Sequence, residues 1–153
     1  MPPVLRHCGL DFGTSNSTLA VAGHNAASRL LPLEDGKPTI PSTIFFDFDA
    51  DRTLFGRAAV ADYVSGTDGR MMRSLKSILG SSLAEEKVRI KKRILSYLGI
   101  IGAFVGELKA RAEADLGPVP GHRADLLAAG ALVPVGHVDL RQVGLEKSHG
   151  LTD

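Results

Sequence analysis

Residues 8–21 (CGLDFGTSNSTLAV) constrain this chain more than any other stretch, because a glycine-bearing turn stands between two apolar runs. Asp11 lies near the end of the first run, and Gly13 permits a tight backbone turn that a side chain would obstruct. The pattern predicts a β-hairpin. The residues that bring hydroxyl groups and backbone N–H groups to its turn are Thr14, Ser15 and Ser17.

Such a turn is open to two interpretations. Successive N–H groups that point the same way form a concavity that binds anions. A carboxylate beside it repels phosphate, so Asp11 suits the site only if a divalent cation, with water between, lies between it and the phosphates. The other interpretation is an ordinary hairpin rich in turn-forming residues.

The string Asp11–Ser17 resembles the first phosphate loop of the actin-like ATPase superfamily, and most closely that of the DnaK-like and YegD-like chaperones of the heat-shock protein 70 family. Three further blocks follow in the family's order. The first is similar to the family's "TPS" strand, the second to the strand end and helix start after it, and the third to the segment with the catalytic lysine. They are Ile40–Phe46, Leu54–Ala59 and Arg73–Gly80. The resemblance extends over about residues 4 to 116.

The resemblance implies ATP and Mg²⁺ as cofactors. It implies that Asp11 holds the water shell of Mg²⁺ and that the β- and γ-phosphates contact Gly13, Thr14 and Ser15. Lys76 would reach the γ-phosphate or the attacking water, as positioned positive charge in phosphoryl transfer. Asp11 and Lys76 are thus the candidate catalytic residues. The plain alternative for Lys76 is a solvated lysine on a helix face.

Bulk composition predicts a cytoplasmic protein. The 18 Lys and Arg residues nearly balance 17 Asp and Glu residues, so no global field favours nucleic acid or an anionic membrane. One cysteine, Cys8, excludes an internal disulfide framework, and the five histidines show no zinc-ligand spacing. The first residues have no signal-peptide pattern, and the least polar stretch, 94–105, is shorter than the ~20 residues of a membrane span.

The pattern of apolar residues predicts a β-meander followed by helices. Turns are expected at Glu34–Pro38 and at the acidic stretch Asp47–Asp51. The predicted strands are Leu5–Asp11, Ser17–Ala22, Ala27–Leu31, Thr39–Phe48 (with Pro41 at an edge or bulge) and Thr53–Phe55. The predicted helices are a short one around Ala58–Val64, a second over Met71–Leu79, and a long one over Leu83–Leu116 with a capping box of Ser82 and Glu85.

Periodicity alone supports only a mixed α and β class. The resemblance implies more: an α/β fold, namely the N-terminal lobe of an actin-like ATPase with ribonuclease H-like architecture, here a fragment in which a meander precedes helices.

Two charged runs are interpreted as solvated surface. The acidic turn Asp47–Asp51 has Arg52 where a calcium loop of the EF-hand type needs glycine, so we expect an exposed hairpin tip. The basic run Lys87–Arg93 alternates with apolar residues and follows two glutamates, so we expect the wet face of a helix rather than a nucleic-acid site.

The chain divides at about Leu116. Residues 1–116 are predicted to form a partial nucleotide-binding lobe, and residues 117–153 an atypical tail, in which Ala131–Val138 could form a strand. The family's second phosphate loop and adenosine motif are not recognisable there. One explanation is a truncated or frameshifted reading frame, and the other is a genuine short protein that a partner chain completes. We expect limited proteolysis to cut first between Gly117 and Arg123.

Two functions remain. The first is the N-terminal part of a DnaK-like chaperone ATPase, which binds ATP or ADP and has unfolded polypeptide or a co-chaperone as family partners. It would hydrolyse ATP poorly alone. The second is a non-enzymatic module that docks on another actin-like protein through an unpaired sheet edge. Neither involves nucleic acid or a membrane.

Overall fold

The computed structural model describes residues 5–23 and 27–116. This part of the chain contains three antiparallel sheets and two α-helices. The strands are β1 (Leu5–Phe12), β2 (Asn16–Gly23), β3 (Arg29–Leu30), β4 (Thr39–Pro41), β5 (Thr43–Asp47), β6 (Arg52–Phe55), β7 (Gly69–Arg73), β8 (Lys87–Ile90) and β9 (Arg93–Ser96). The helices are α1 (Gly56–Val64) and α2 (Tyr97–Leu116). The expectations for residues 117–153 lie outside the described residues.

The first sheet is built on β2. The predicted β1–β2 hairpin is confirmed, with Asp11 opposite Thr18 and Phe12 opposite Ser17. On its other side β2 pairs with both β3 and β4. The expected turn at Glu34–Pro38 is confirmed between these two strands, where Gly36 has a φ of 73°.

The chain moves from the first sheet to the second at Ser42. The predicted single strand Thr39–Phe48 is therefore two strands, β4 in the first sheet and β5 in the second. Pro41 is the last residue of β4, at the break between the two. In the second sheet β5 is central, between β6 and β7.

The predicted helix over Met71–Leu79 is wrong. Residues Gly69–Arg73 form β7, which pairs with β5, and Leu75–Ile78 form a 3₁₀ helix. The strand is favoured because its pairing extends along the whole of β5 and buries Met72. Gly69 permits the close approach, since a Cβ there would overlap the ring of Phe45.

The predicted long helix is wrong over its first half. A 3₁₀ helix (Ser82–Glu85) and the β8–β9 hairpin precede α2, which begins only at Tyr97. The expected capping box is absent from this 3₁₀ helix, which has no side-chain cap at Ser81. Instead, Ser96 caps α2, accepting a hydrogen bond from the Gly99 N–H through Oγ at 3.0 Å.

Helix α2 packs against the sheets through one apolar face. Phe104 is fully buried, and its ring centroid lies 5.8 Å from that of Phe12 and 6.4 Å from that of Phe55. Burying such a ring contributes about 2 kcal/mol. At the other end of the helix Asp115 accepts a hydrogen bond from Arg29 of β3 at 3.1 Å. Through Phe104, helix α2 thus contacts both β6 and β1, and β1 is the strand that leads into the glycine turn.

Candidate phosphate-binding site

Asp11 stands at the end of β1 with its side chain exposed. Its neighbour Phe12 points to the opposite face, as alternation along a strand requires, and is only 5% exposed because it packs on Phe104. The buried ring therefore fixes the strand end, and the carboxylate is presented to solvent beside the turn.

The turn itself needs glycine because of close packing. A Cβ on Gly13 would overlap the backbone carbonyl oxygen of Asn16. The chain thus reverses within Gly13, Thr14 and Ser15, and the two hydroxyl residues are exposed. The structure brings Asp11, Gly13, Thr14 and Ser15 together in one surface loop.

This loop, Asp11–Ser15, is fastened to the break between β4 and β5. The Ser42 N–H donates a hydrogen bond to the Ser15 carbonyl oxygen at 2.9 Å. The hydroxyl oxygens of Ser17 and Ser42 lie 2.8 Å apart, and both residues are buried. Thr18 also donates from Oγ1 to the Pro38 carbonyl oxygen at 2.7 Å. Hydrogen bonds on both sides hold the base of the loop in one position.

Ser42 has a role that the sequence analysis did not assign. Its signals in the sequence were its place after Pro41, where strand pairing has to be interrupted, and its place in the block Ile40–Phe46 that resembles the family's "TPS" strand. Nothing local indicates that its hydroxyl meets that of Ser17, which is 25 residues away.

Lys76 lies on a separate element, in the 3₁₀ helix Leu75–Ile78 rather than on an α-helix face. Leu75 is 1% exposed and anchors this helix in the hydrophobic core that also contains Phe12. Ser74 precedes it in a left-handed conformation, with a φ of 57°, and accepts a hydrogen bond from Ser77 Oγ at 2.7 Å. Lys76 itself is exposed.

Within residues 5–23 and 27–116, no hydrogen bond or ion pair joins Lys76 to Asp11 or to the loop. The two candidate catalytic side chains are therefore connected only indirectly, through the hydrophobic core that lies beneath both residues.

Within residues 5–23 and 27–116, no cluster of three or more His, Cys, Asp or Glu side chains could hold a metal ion. Asp11 is a lone carboxylate, and this fits Mg²⁺, which keeps several waters and takes one or two protein carboxylates.

The expectation that the whole acidic tip is solvated is wrong at Asp47. Its side chain is 2% exposed and its Oδ1 accepts hydrogen bonds from the N–H groups of Asp49 and Ala50, at 2.9 and 3.0 Å. Its Oδ2 accepts one from Arg52 Nε at 2.9 Å. The Ala50 N–H and then the Arg52 side chain lower the pKa of the Asp47 carboxyl below its ordinary value. Asp49 and Asp51 are exposed, as expected.

A second ionic cluster, which the sequence analysis missed, surrounds Glu34. Its carboxylate is 8% exposed and accepts two hydrogen bonds from the Arg57 N–H, at 2.9 and 3.0 Å, at the start of α1. The Arg57 side chain donates to it at 2.9 Å, and Arg111 of α2 lies 3.5 Å away. A cavity of about 560 Å³ lies beside this cluster. Each charge here already has a partner, so the cluster is structural.

A glycine hairpin at the head of an antiparallel meander, with helices packed behind it, is consistent with the actin-like ATPase fold. The particular family follows from the sequence, in which residues 7–103 match the Hsp70 protein family. The match covers well over half of the 153 residues and runs from β1 into α2, so the chain belongs to the Hsp70 family. Both the family resemblance and the fold class expected from the sequence are confirmed.

Family membership also carries general properties. Hsp70 proteins are chaperone ATPases that use ATP and Mg²⁺ and that have polypeptides and co-chaperones as partners. Among the described helices, none is both long and apolar enough to cross a membrane.

Proposed function

We propose that this chain contributes the first phosphate loop of an Hsp70-type ATPase and binds the phosphates of Mg-ATP through Asp11–Ser15. The observation that carries the proposal is that hydrogen bonds hold this turn in position. Exposed hydroxyl residues at Thr14 and Ser15 stand beside an exposed carboxylate, and buried hydrogen bonds at Ser42 hold the loop from behind. A site that is held rigid before the ligand arrives loses less entropy on binding.

Each side chain then has a distinct task. Asp11 would hold water molecules of the Mg²⁺ shell, and the backbone and hydroxyl groups of Gly13, Thr14 and Ser15 would donate hydrogen bonds to phosphate oxygens. Mg²⁺, when bound, neutralises charge on the phosphates. Lys76 is exposed and without an ion-pair partner in the described part of the chain, so its ammonium is free to turn toward the γ-phosphate.

Binding by the 153-residue polypeptide alone is expected to be weak. One phosphate loop supplies part of the contacts that a closed nucleotide cleft makes, and every 1.4 kcal/mol of lost contact is about tenfold in affinity. We expect a dissociation constant in the high micromolar range or weaker. Hydrolysis also needs an oriented water and charge stabilisation from the far side of the phosphates, so turnover should be poor.

Thermal unfolding with and without Mg-ATP tests the proposal. Mg-ATP should raise the melting temperature of the wild-type chain, whereas Asp11→Ala and Thr14→Ala should each reduce the rise. Asp49→Ala is the matched control for Asp11→Ala, because it removes an exposed carboxylate from the acidic turn, outside the glycine loop. Nanomolar affinity would contradict the proposal, and so would a rise in melting temperature that is the same in the wild-type chain and in both loop variants.

A second candidate function is supported by the edge of the first sheet. Within the described residues, β1 pairs with β2 and has no strand on its other side. Such an edge can accept a strand from another protein, as the docking-module hypothesis requires. A melting temperature that rises only with a partner actin-like protein, and not with Mg-ATP, would favour this function over the first.

The remaining family properties are part of the same proposal. We propose a cytoplasmic location, in keeping with one unpaired cysteine, Cys8, and action together with an unfolded polypeptide or a co-chaperone.

A further inference from the structure

The β8–β9 hairpin concentrates positive charge that the proposed nucleotide site does not use. Residues 87–93 contain five Lys or Arg residues and no acidic residue, although charge over the whole chain nearly cancels. All five are exposed. The sequence predicted these residues on one face of a helix. That prediction is wrong, because they lie in a β-hairpin.

Strand pairing sorts the hairpin residues onto two faces. The inner face carries Val88 and Leu95, which pack on the core, and Ile90, which is 1% exposed. On the outer face Lys87 and Arg89 are two residues apart, or about 7 Å along the strand. Ile94, 56% exposed, lies opposite Arg89 on this same face.

Two of the cations hold the hairpin in place. Lys91 has a left-handed backbone with a φ of 53°, in a two-residue turn where asparagine or glycine is preferred. Its ammonium donates a hydrogen bond to the Phe48 carbonyl oxygen and lies 5.8 Å from the centre of the Phe48 ring. Arg93 lies 4.0 Å from Asp51 in the same acidic turn. The tip of the hairpin is thus fixed against the β5–β6 turn.

The other three cations are available. The side chains of Lys87, Arg89 and Lys92 form no hydrogen bond or ion pair within residues 5–23 and 27–116. Glu85 and Glu86, the nearest acidic residues in sequence, also form none with them there. A fixed face with two unpaired cations two residues apart, Lys87 and Arg89, and an exposed isoleucine is complementary to a segment that offers carboxylates and an apolar residue.

We propose that the outer face of the β8–β9 hairpin is a docking surface for an acidic, extended segment of a partner polypeptide. Carboxylates at every second position of such a segment have the spacing of Lys87 and Arg89, because both chains rise equally per residue. Nucleic acid is the less suitable occupant, since no residue between 87 and 96 is aromatic and able to stack on a base.

Fluorescence anisotropy with the full chain tests this surface. The probe is a labelled dodecapeptide with glutamate at every second position and valine between, and its glutamine counterpart is the uncharged comparison. The acidic peptide should bind, and its affinity should fall as the salt concentration rises. The Lys87→Glu/Arg89→Glu double variant should lower affinity about tenfold or more, and Ile94→Ser about threefold.

The control is Lys37→Glu/Arg70→Glu, which makes the same change of net charge at two exposed residues outside the hairpin. It should leave affinity within about twofold, since distant surface charges are screened. If charge reversal prevents folding, Lys87→Gln/Arg89→Gln serves in its place. Equal loss in hairpin and control variants, or no binding of the acidic peptide, would overturn the proposal. So would tighter binding of a labelled single-stranded oligonucleotide that the hairpin variant abolishes.

Discussion

The hydroxyl oxygens of Ser17 and Ser42 lie 2.8 Å apart in the buried base of the glycine loop. Ser17 follows the loop on β2, and Ser42 occupies the break between the first and second sheets. This hydrogen bond therefore couples the candidate phosphate site to the point where the chain changes sheets.

A double-mutant cycle should measure that coupling. Ser42→Ala alone leaves the buried Ser17 hydroxyl unpaired, and Ser17→Ala does the converse, so each should lower the free energy of unfolding by about 1–3 kcal/mol. The double variant should cost less than the sum of the two by about 0.5 kcal/mol or more. Urea unfolding gives these values, and Ser77→Ala, an exposed serine with a local hydrogen bond, is the control. Strict additivity would mean that the two hydroxyls do not depend on each other.

Gly13→Ala should damage both stability and nucleotide binding. The new methyl group would overlap the Asn16 carbonyl oxygen, so the turn has to open, at a cost on the order of 2 kcal/mol. Gly9→Ala, in the strand β1 that leads into the turn, meets no atom within 4 Å and should change stability by less than about 1 kcal/mol. Chemical denaturation and the Mg-ATP thermal shift are the two measurements. Equal behaviour of the two alanine variants would exclude close packing as the reason for Gly13.

Glu34→Gln should destabilise the junction of α1, α2 and the turn before β4. Loss of the charge leaves Arg57 and Arg111 facing a neutral amide, at a cost of about 2 kcal/mol. This cost is below the range for breaking a fully buried pair because both arginines are partly solvated. Asp35→Asn is the control, since Asp35 is exposed and asparagine tolerates its φ of 52°. An unchanged urea midpoint for Glu34→Gln would show that the cluster contributes nothing to stability.

Asp47 should make stability depend on pH in acid. Its pKa is lowered in the folded state, so the folded chain holds the carboxylate charged where the unfolded chain protonates it. The stabilisation is complete above the ordinary aspartate value of about 4 and is lost as pH falls below it through the lowered pKa. The stability difference between wild type and Asp47→Asn should therefore shrink below about pH 4. Asp49→Asn, which changes an exposed carboxylate in the same turn, is the control.

Lys76 should make little difference to turnover in the isolated polypeptide. The proposed site provides one loop and one lysine, and we expect ATP hydrolysis by the wild-type chain to be no faster than by Lys76→Ala. Release of phosphate from purified protein is the measurement. A clear rate that disappears in Lys76→Ala would mean that the chain assembles a more complete site than proposed.

The sequence predicted those elements whose patterns are local. The β1–β2 hairpin, the turn at Glu34–Pro38 and helix α1 are confirmed, because turn residues and alternation fix each of them within about ten residues of chain. The loop Asp11–Ser15 was also found this way, since glycine and hydroxyl residues follow a strand directly. The family was likewise identifiable from four short blocks of residues.

The prediction from the sequence is wrong where a short apolar run fits two periods. Ile90 and Ile94 are four residues apart, as on one face of a helix, but Val88 and Ile90 alternate as a strand does. The structure resolves this in favour of a hairpin, which buries Ile90.

By itself, then, the sequence determined the glycine loop, the residues that present hydroxyl groups on it, and the family. Only the tertiary structure decided that Ser42 fastens this loop, that Met71 belongs to a strand of the second sheet, and that Lys87 and Arg89 share an outer face. The physical reason is the same in each case. These features depend on strand pairing or on contacts between residues far apart in the chain, and local propensity does not encode such contacts.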